Sequence, residues 1–310
     1  MAGAGKGTRA TQVGDVLLTV ACAVIAAWLW TGGRWVPGAG RAAAVWTVLA
    51  AGVPLLRALS VRTRAAWPAT VKAFWPAPVL VFGHAHFGPV VDGLNPRLQD
   101  AVLARADLYL FGTVPSLLTE RLIPGQVMDL LLVCYYSYFL WPLVVGASIF
   151  RRSRASYAEY RLAMVLFFIV NFALYVAVPA VGPRFFLAGL YSAPLQGWVV
   201  TPWLDGLMRV TDFNRDCFPS GHTGFTSIVL VYAALYARRV FWFMAPVATG
   251  LIAATVLARF HYGVDLLCAV PAVMACVGAA AWVARLERPS PSRRTAWQGW
   301  RALDEEAPGR

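Results

Sequence analysis

Pro219-Ser220-Gly221-His222 closes a polar stretch of the chain and opens an apolar run at 223–238. A helix starting there leaves backbone N–H groups unpaired at the positive end of its dipole, where anions collect. Gly221 lets the main chain approach an anion closely, and Ser220 adds a hydroxyl donor. His222, at the mouth, can give a proton to a departing oxygen. Alone, the segment reads equally well as an interfacial turn that ends in histidine. A second segment, Arg259-Phe260-His261-Tyr262-Gly263-Val264-Asp265, places its histidine 39 residues after the first. His261 and Asp265 are four apart and share one face of the helix that begins there. A carboxylate beside one ring nitrogen fixes the tautomer and makes the other a better nucleophile or base. The pairing also relieves Asp265, because an unpartnered carboxylate at a membrane boundary is costly. The plain alternative is an aspartate that caps a helix start.

Two antiparallel apolar runs and a tight Arg238-Arg239 turn separate the histidines, which returns both to the same side. Only four histidines occur in 310 residues, and two of them meet in this arrangement. Gly182-Pro183-Arg184 ends another apolar run on that side. Arginine forms paired hydrogen bonds to phosphate oxygens. Arg184 and Arg259 would neutralise a phosphate dianion and then the charge that develops during in-line transfer. Arg184 also fits as a residue snorkelling from a helix end. The expected site is therefore His261, His222 and Asp265 for the chemistry, with Arg184, Ser220, Gly221 and Arg259 around the phosphate. No metal and no cofactor are expected.

These residues need a scaffold, and composition gives its class. The chain is 59% hydrophobic and 14% charged, with mean hydropathy +0.60, whereas a soluble domain is about half apolar and a quarter charged. The excess must face lipid. Runs near the roughly 20 residues that cross a hydrocarbon core lie at about 13–31, 42–57, 127–150, 161–181, 223–238, 241–258 and 264–284. A weaker run at about 66–84 is interrupted by Pro68, Pro76 and Pro78. Counting it gives eight spans in an all-α polytopic bundle, or about six to eight with the weaker runs.

The net charge of +12 invites a nucleic-acid reading, but its placement excludes one. Arg57, Arg62 and Arg64 follow the second run, Arg151, Arg152, Arg154 and Arg161 the third, and Arg238 and Arg239 the run at 223–238. Arg285, Arg288, Arg293 and Arg294 follow the last run. Basic residues in every second connection mark the cytoplasmic side. Both termini are then cytoplasmic and the histidines face outward, in what reads as a bacterial plasma membrane.

The three segments Gly182-Pro183-Arg184, Pro219-Ser220-Gly221-His222 and His261-Tyr262-Gly263-Val264-Asp265 resemble the signature blocks of the type 2 phosphatidic acid phosphatase superfamily. The resemblance covers roughly residues 90–285. It implies a helical core like that of the vanadium haloperoxidases. It also implies that His261 attacks phosphorus to form a phosphohistidine oriented by Asp265, while His222 protonates the leaving group. Arg184, Ser220, the Gly221 amide and Arg259 would hold the phosphoryl oxygens. In place of the usual lysine of the first block stands Ala177, and Thr255 stands where the third block has its arginine. The compact blocks, with Asp107-Leu108-Tyr109-Leu110-Phe111-Gly112, are similar to the branch containing inositol phosphorylceramide synthases. The implied substrate is a lipid phosphate in the bilayer, with water or an alcohol as acceptor. A transporter or scramblase without chemistry is the competing class, and it predicts ionisable residues at mid-span depth.

The expected organisation is a disordered stretch at 1–12, N-terminal spans at 13–84, a catalytic domain at 85–288 and a disordered tail at 289–310. Residues 94–122 read as one or two interfacial helices, with Tyr109 and Phe111 towards lipid, or equally well as an ordinary packed loop. Cys217 alone of five cysteines leaves the apolar runs, and neither a disulfide nor a cysteine metal site is expected. His84 and His86, two apart, are a weak metal pair and fit better as structural or substrate-contacting residues. Asp15 and Asp129 lie near span ends, where solvation suffices.

Overall fold

The computed structural model describes residues 8–63, 65–120, 122–203 and 215–286. Thr8 accepts the Thr11 N–H at 3.2 Å and so starts α1 (Arg9–Trp30) inside the stretch 1–12 that was expected to be disordered. There follow α2 (Ala39–Thr63), α3 (Trp67–Phe74), α4 (Gly88–Leu94), α5 (Asp100–Phe111), α6 (Gly125–Tyr136), α7 (Trp141–Arg152) and α8 (Arg154–Ala177). Past the loops, α9 (Gly221–Tyr236), α10 (Arg238–Leu257) and α11 (Gly263–Arg285) complete an all-helical chain, with no strand among the described residues. The tail expectation at 289–310 falls outside the described residues.

Five helices (α1, α2, α8, α10 and α11) are long and apolar enough to cross a membrane, with mean hydropathy of 1.7 to 2.2 over their best windows. The helical pair Gly125–Phe139 and Trp141–Arg152, bent by 44°, makes a sixth if it counts as one span. The other two of the eight expected runs are broken or short. At 66–84 the prolines break the run: α3 stops at Phe74, Pro76–Pro78 makes a single turn, and Val79–Gly83 is π-helical. A proline lacks the N–H that an unbroken helix needs. The run at 223–238 forms α9, whose 16 residues are fewer than those of the five long helices but still join the His222 end of the bundle to the Arg238 end.

At the centre stands α8, packed against α1, α7, α9 and α11. Of its most apolar window 61% is buried, against 22–39% for the other four long helices, so it faces protein and they face lipid. Near its start Arg161, 3% exposed, pairs with Asp15 at 2.7 Å, and Asp15 also pairs with Lys72 at 2.8 Å. Arg161 is thus not a topology signal, and Asp15 is not merely solvated. A buried guanidinium survives there because its charge is matched. Ala237 alone connects α9 to α10, and this tight reversal returns the start of α9 and the end of α10 to one end of the bundle.

Candidate active site

Three direct backbone bonds sew the loops at that end together. Cys217 N–H donates to Ala180 O at 3.2 Å, Arg184 N–H to Arg259 O at 2.8 Å, and Ser220 N–H to Asp265 O at 3.2 Å. Each of the segments 180–184, 215–222 and 259–265 therefore touches the other two. The His222 and His261 rings come to rest 6.1 Å apart between centroids.

His222 lies in the first turn of α9. Ser220 caps that helix, its Oγ accepting the Thr223 N–H at 3.2 Å while its own proton stays able to donate. Glycine is required at 221, because a Cβ there would stand 2.6 Å from Tyr175 Oη. The His222 ring is stacked on Tyr135 (4.3 Å, 24°) and packed against Tyr138 at 4.5 Å. Its Nδ1 is 3.4 Å from Tyr135 Oη.

His261 is 4% exposed. Its Nδ1 lies 2.7 Å from the Cys217 carbonyl oxygen and 3.3 Å from Asp265 Oδ2. A carbonyl oxygen can only accept, so Nδ1 carries the proton and Nε2 of the neutral ring offers its lone pair. The main chain therefore shares the tautomer-fixing role that the sequence assigns to Asp265. Asp265 Oδ2 also takes the Tyr262 N–H at 2.9 Å and the Cys217 thiol at 2.9 Å. Burial first, and the Asp265 charge next, push the Cys217 thiol well above its usual pKa, so it is the proton donor of that pair. We expect Asp265→Asn to keep the tautomer and lose only the charge that stabilises the ring as it becomes cationic. Single-turnover phosphoryl transfer should fall about 10²-fold, and a loss of roughly 10⁴-fold, as when a triad aspartate fixes the tautomer alone, would show that the carbonyl contributes nothing.

Cys217 is the site residue that sequence reasoning missed. Its Sγ, His261 Nδ1 and Asp265 Oδ2 all lie within 4.8 Å of one another, a buried donor set that could hold a metal ion. In the described geometry these atoms form a hydrogen-bonded unit with the Cys217 carbonyl. A bound metal would have to displace the thiol proton and the Nδ1 proton.

Four carboxylates, Asp100, Asp107, Glu120 and Asp129, brace this end of the fold by accepting backbone amides, each across a long sequence separation. Asp100, fully buried, takes the Val181 and Gly182 N–H groups (3.0 and 2.8 Å) and the Tyr262 hydroxyl (3.0 Å). Asp107, one heptad on and equally buried, takes the Gly263 and Val264 N–H groups, both at 2.8 Å. Burial raises the Asp107 pKa, and those two amides work against the rise. The interfacial helix expected at 94–122 is thus real in α5, with Tyr109 90% exposed, but its acidic face points inward. Asp129 accepts the N–H groups of Trp198, Val199 and Thr201 as well as the Thr201 hydroxyl, so it is not merely solvated as expected.

The two arginines take different places. Arg259 has a left-handed backbone (φ 67°), which costs a non-glycine residue on the order of 1 kcal/mol. Its guanidinium donates to Ala193 O at 3.0 Å, pairs with Glu120 at 3.4 Å and lies 3.9 Å above the Tyr191 ring. It clamps the 191–193 loop. Gly182 (φ 84°) sits so close to Phe260 O, 2.4 Å from where a Cβ would be, that no side chain fits there. Next to it the Arg184 guanidinium lies 5.6 Å from the Phe260 ring. Phe260 stacks on Tyr135 at 4.6 Å, and Tyr135 on His222.

His84 and His86 do not converge: His84 Nε2 meets Asp216 Oδ2 at 2.8 Å, whereas His86 Nδ1 bonds the Phe82 carbonyl at 2.9 Å. Asp216 immediately precedes Cys217. Burial would raise its carboxyl pKa, but the hydrogen bond to His84 brings it below the usual value.

The sequence pattern of the PAP2 superfamily matches residues 101–281, more than half of the chain. The chain belongs to the PAP2 superfamily. A PA-phosphatase related-family protein of Dictyostelium discoideum is 26% identical over 191 residues, which are 58% of this chain and 34% of that protein. The chain thus spans about a third of the length of the curated relative it matches. No solved structure matches. PAP2 membership supports a phosphatase-type enzyme, and the matched region holds all three converging segments. Helices α1 to α4 lie outside it.

Proposed function

We propose that the protein transfers a phosphoryl group from a lipid phosphate through a phosphohistidine on His261, most simply to water, at the extracytoplasmic face of the membrane. The observation that carries the reading is the His222–His261 pair with the Nδ1 side of His261 engaged by Cys217 O and Asp265. The Nε2 lone pair attacks phosphorus, and the P–O bond to the lipid alcohol breaks. His222 supplies the proton that the departing oxygen needs, and water then cleaves the P–N bond and restores the ring. Ser220, the Gly221 amide and Arg184 hold the phosphoryl oxygens, and Arg259 adds positive potential from behind Phe260. The outward face is supported by the basic residues: Arg62, Arg151, Arg152, Arg154, Arg238, Arg239 and Arg285 all lie at helix ends opposite the histidines. The His84–Asp216 pair favours a second reading, transfer to an alcohol, because a carboxylate and an imidazole can hold an acceptor hydroxyl.

The test is to incubate purified protein with a panel of lipid phosphates, with and without candidate alcohols, and to follow inorganic phosphate and new lipids. Phosphate release that vanadate inhibits and EDTA leaves untouched is expected, since vanadate imitates the transferring group. Release that EDTA abolishes would overturn the metal-independent route and point to the Cys217, His261 and Asp265 donor set.

A further inference from the structure

A cavity of about 270 Å³ lies between α3, the π-helical stretch, the bend near Leu140 and α8. Its inner end is Tyr138 and Phe225, and Tyr138 is the ring that packs 4.5 Å from His222. From there it runs along α8 past Phe168, Val165 and Met164 to Arg161, seven residues or about 10 Å of helix. Three of the four polar side chains in its wall are engaged elsewhere. Tyr157 Oη donates to Ala73 O at 2.8 Å, Tyr160 Oη to Pro142 O at 3.0 Å, and Arg161 is paired with Asp15. What faces the space is apolar. At the mouth Val81, Phe82, Phe139 and Leu143 are 43 to 55% exposed on the surface that meets lipid tails. Leu18, Phe74, Pro76 and Phe82 all precede residue 101, so the wall is built in part by helices outside the matched PAP2 region.

We infer that this cavity receives the hydrocarbon chain of the substrate, an inference that rests on the lipid-phosphate reading above. One ring, Tyr138, separates the cavity from His222. In that reading His222 protonates the leaving oxygen, and the cavity begins at Tyr138, the ring tilted against His222, so it lies on the leaving-group side. In a lipid phosphate the leaving group is the lipid alcohol, and its chain must go where apolar surface starts at that oxygen. The N-terminal helices then act as a chain-binding wall added to the catalytic core. The prolines at 76 and 78 and the π-helical turn open the space that an unbroken span would fill.

Trp substitutions at the mouth, Val81→Trp and Leu143→Trp, sit on two different elements and away from the catalytic residues. Each methylene kept out of apolar contact is worth about fourfold in binding. We therefore expect kcat/KM for a long-chain alkyl phosphate to fall at least about tenfold, with kcat/KM for a short-chain, water-soluble alkyl phosphate unchanged. Retention of the long-chain rate in both variants overturns the inference. Should a variant lose the short-chain rate as well, labelling of the unsubstituted protein decides. A long-chain phosphate with a diazirine at its chain end should crosslink within 74–82 or 157–168, and labels confined to other helices overturn the inference. Cleavage of neither substrate by the unsubstituted protein would instead remove the functional reading itself.

Discussion

His261→Ala is expected to lower phosphate release by at least about 10³-fold, the order lost when a covalent nucleophile is removed. The ring is buried and held at Nδ1 by Cys217 O at 2.7 Å, so only Nε2 can reach a phosphorus atom. The other imidazole of the pair, His222, is packed between Tyr135 and Tyr138, and taking over the attack would require it to leave that place. The variant should also fail to trap labelled phosphate on the protein after a rapid acid quench. Its melting temperature, measured beside that of the unsubstituted protein, separates chemistry from folding, since alanine leaves the Asp265 bonds to Tyr262 N–H and the Cys217 thiol in place. Full activity on a lipid phosphate in this variant would end the assignment.

The convergence of the three loops was legible because its cause is local. Helix starts, a one-residue reversal and a four-residue spacing can each be read from neighbours in the chain. The bracing was not. Asp100, Asp107, Glu120 and Asp129 hold amides or charges 69 to 162 residues away, and nothing in their flanking sequence distinguishes them from solvated acids. A faint signal existed in α5, where Asp100 and Asp107 lie seven apart on one face of an amphipathic helix and the arginines lie elsewhere. Cys217 was set aside because no second cysteine lay near it. Its role depends on a main-chain carbonyl, which side-chain pattern cannot show.

Helix continuity was illegible for a different physical reason. A hydropathy window adds apolar residues and ignores whether the helix is continuous. At 66–84 and around Leu140 the sum is right and the continuity is wrong, and both breaks line the cavity beneath His222. Arg161 shows the same weakness in charge counting. Placed among basic neighbours it reads as a topology residue, yet it is buried against Asp15 from a helix more than a hundred residues earlier.

His222→Ala separates the two imidazoles by chemistry rather than by position. An alkoxide leaves poorly without a proton, so loss of the donor should cost about 10²- to 10⁴-fold on an alkyl phosphate. A phenol bearing an electron-withdrawing group leaves as a stable anion and needs no proton. Its phosphate should therefore be cleaved by His222→Ala at nearly the unsubstituted rate in the first turnover, with trapped phosphohistidine still detectable. His261→Ala should be dead on both substrates. The comparison is sharp because both esters present the same phosphoryl group to the same site, so KM for the two should move together. If the alkyl and aryl phosphates lose the same factor in kcat, His222 holds the phosphoryl group instead of donating the proton. The leaving-group side of the site, and with it the direction in which a lipid chain must run, would then have to be redrawn.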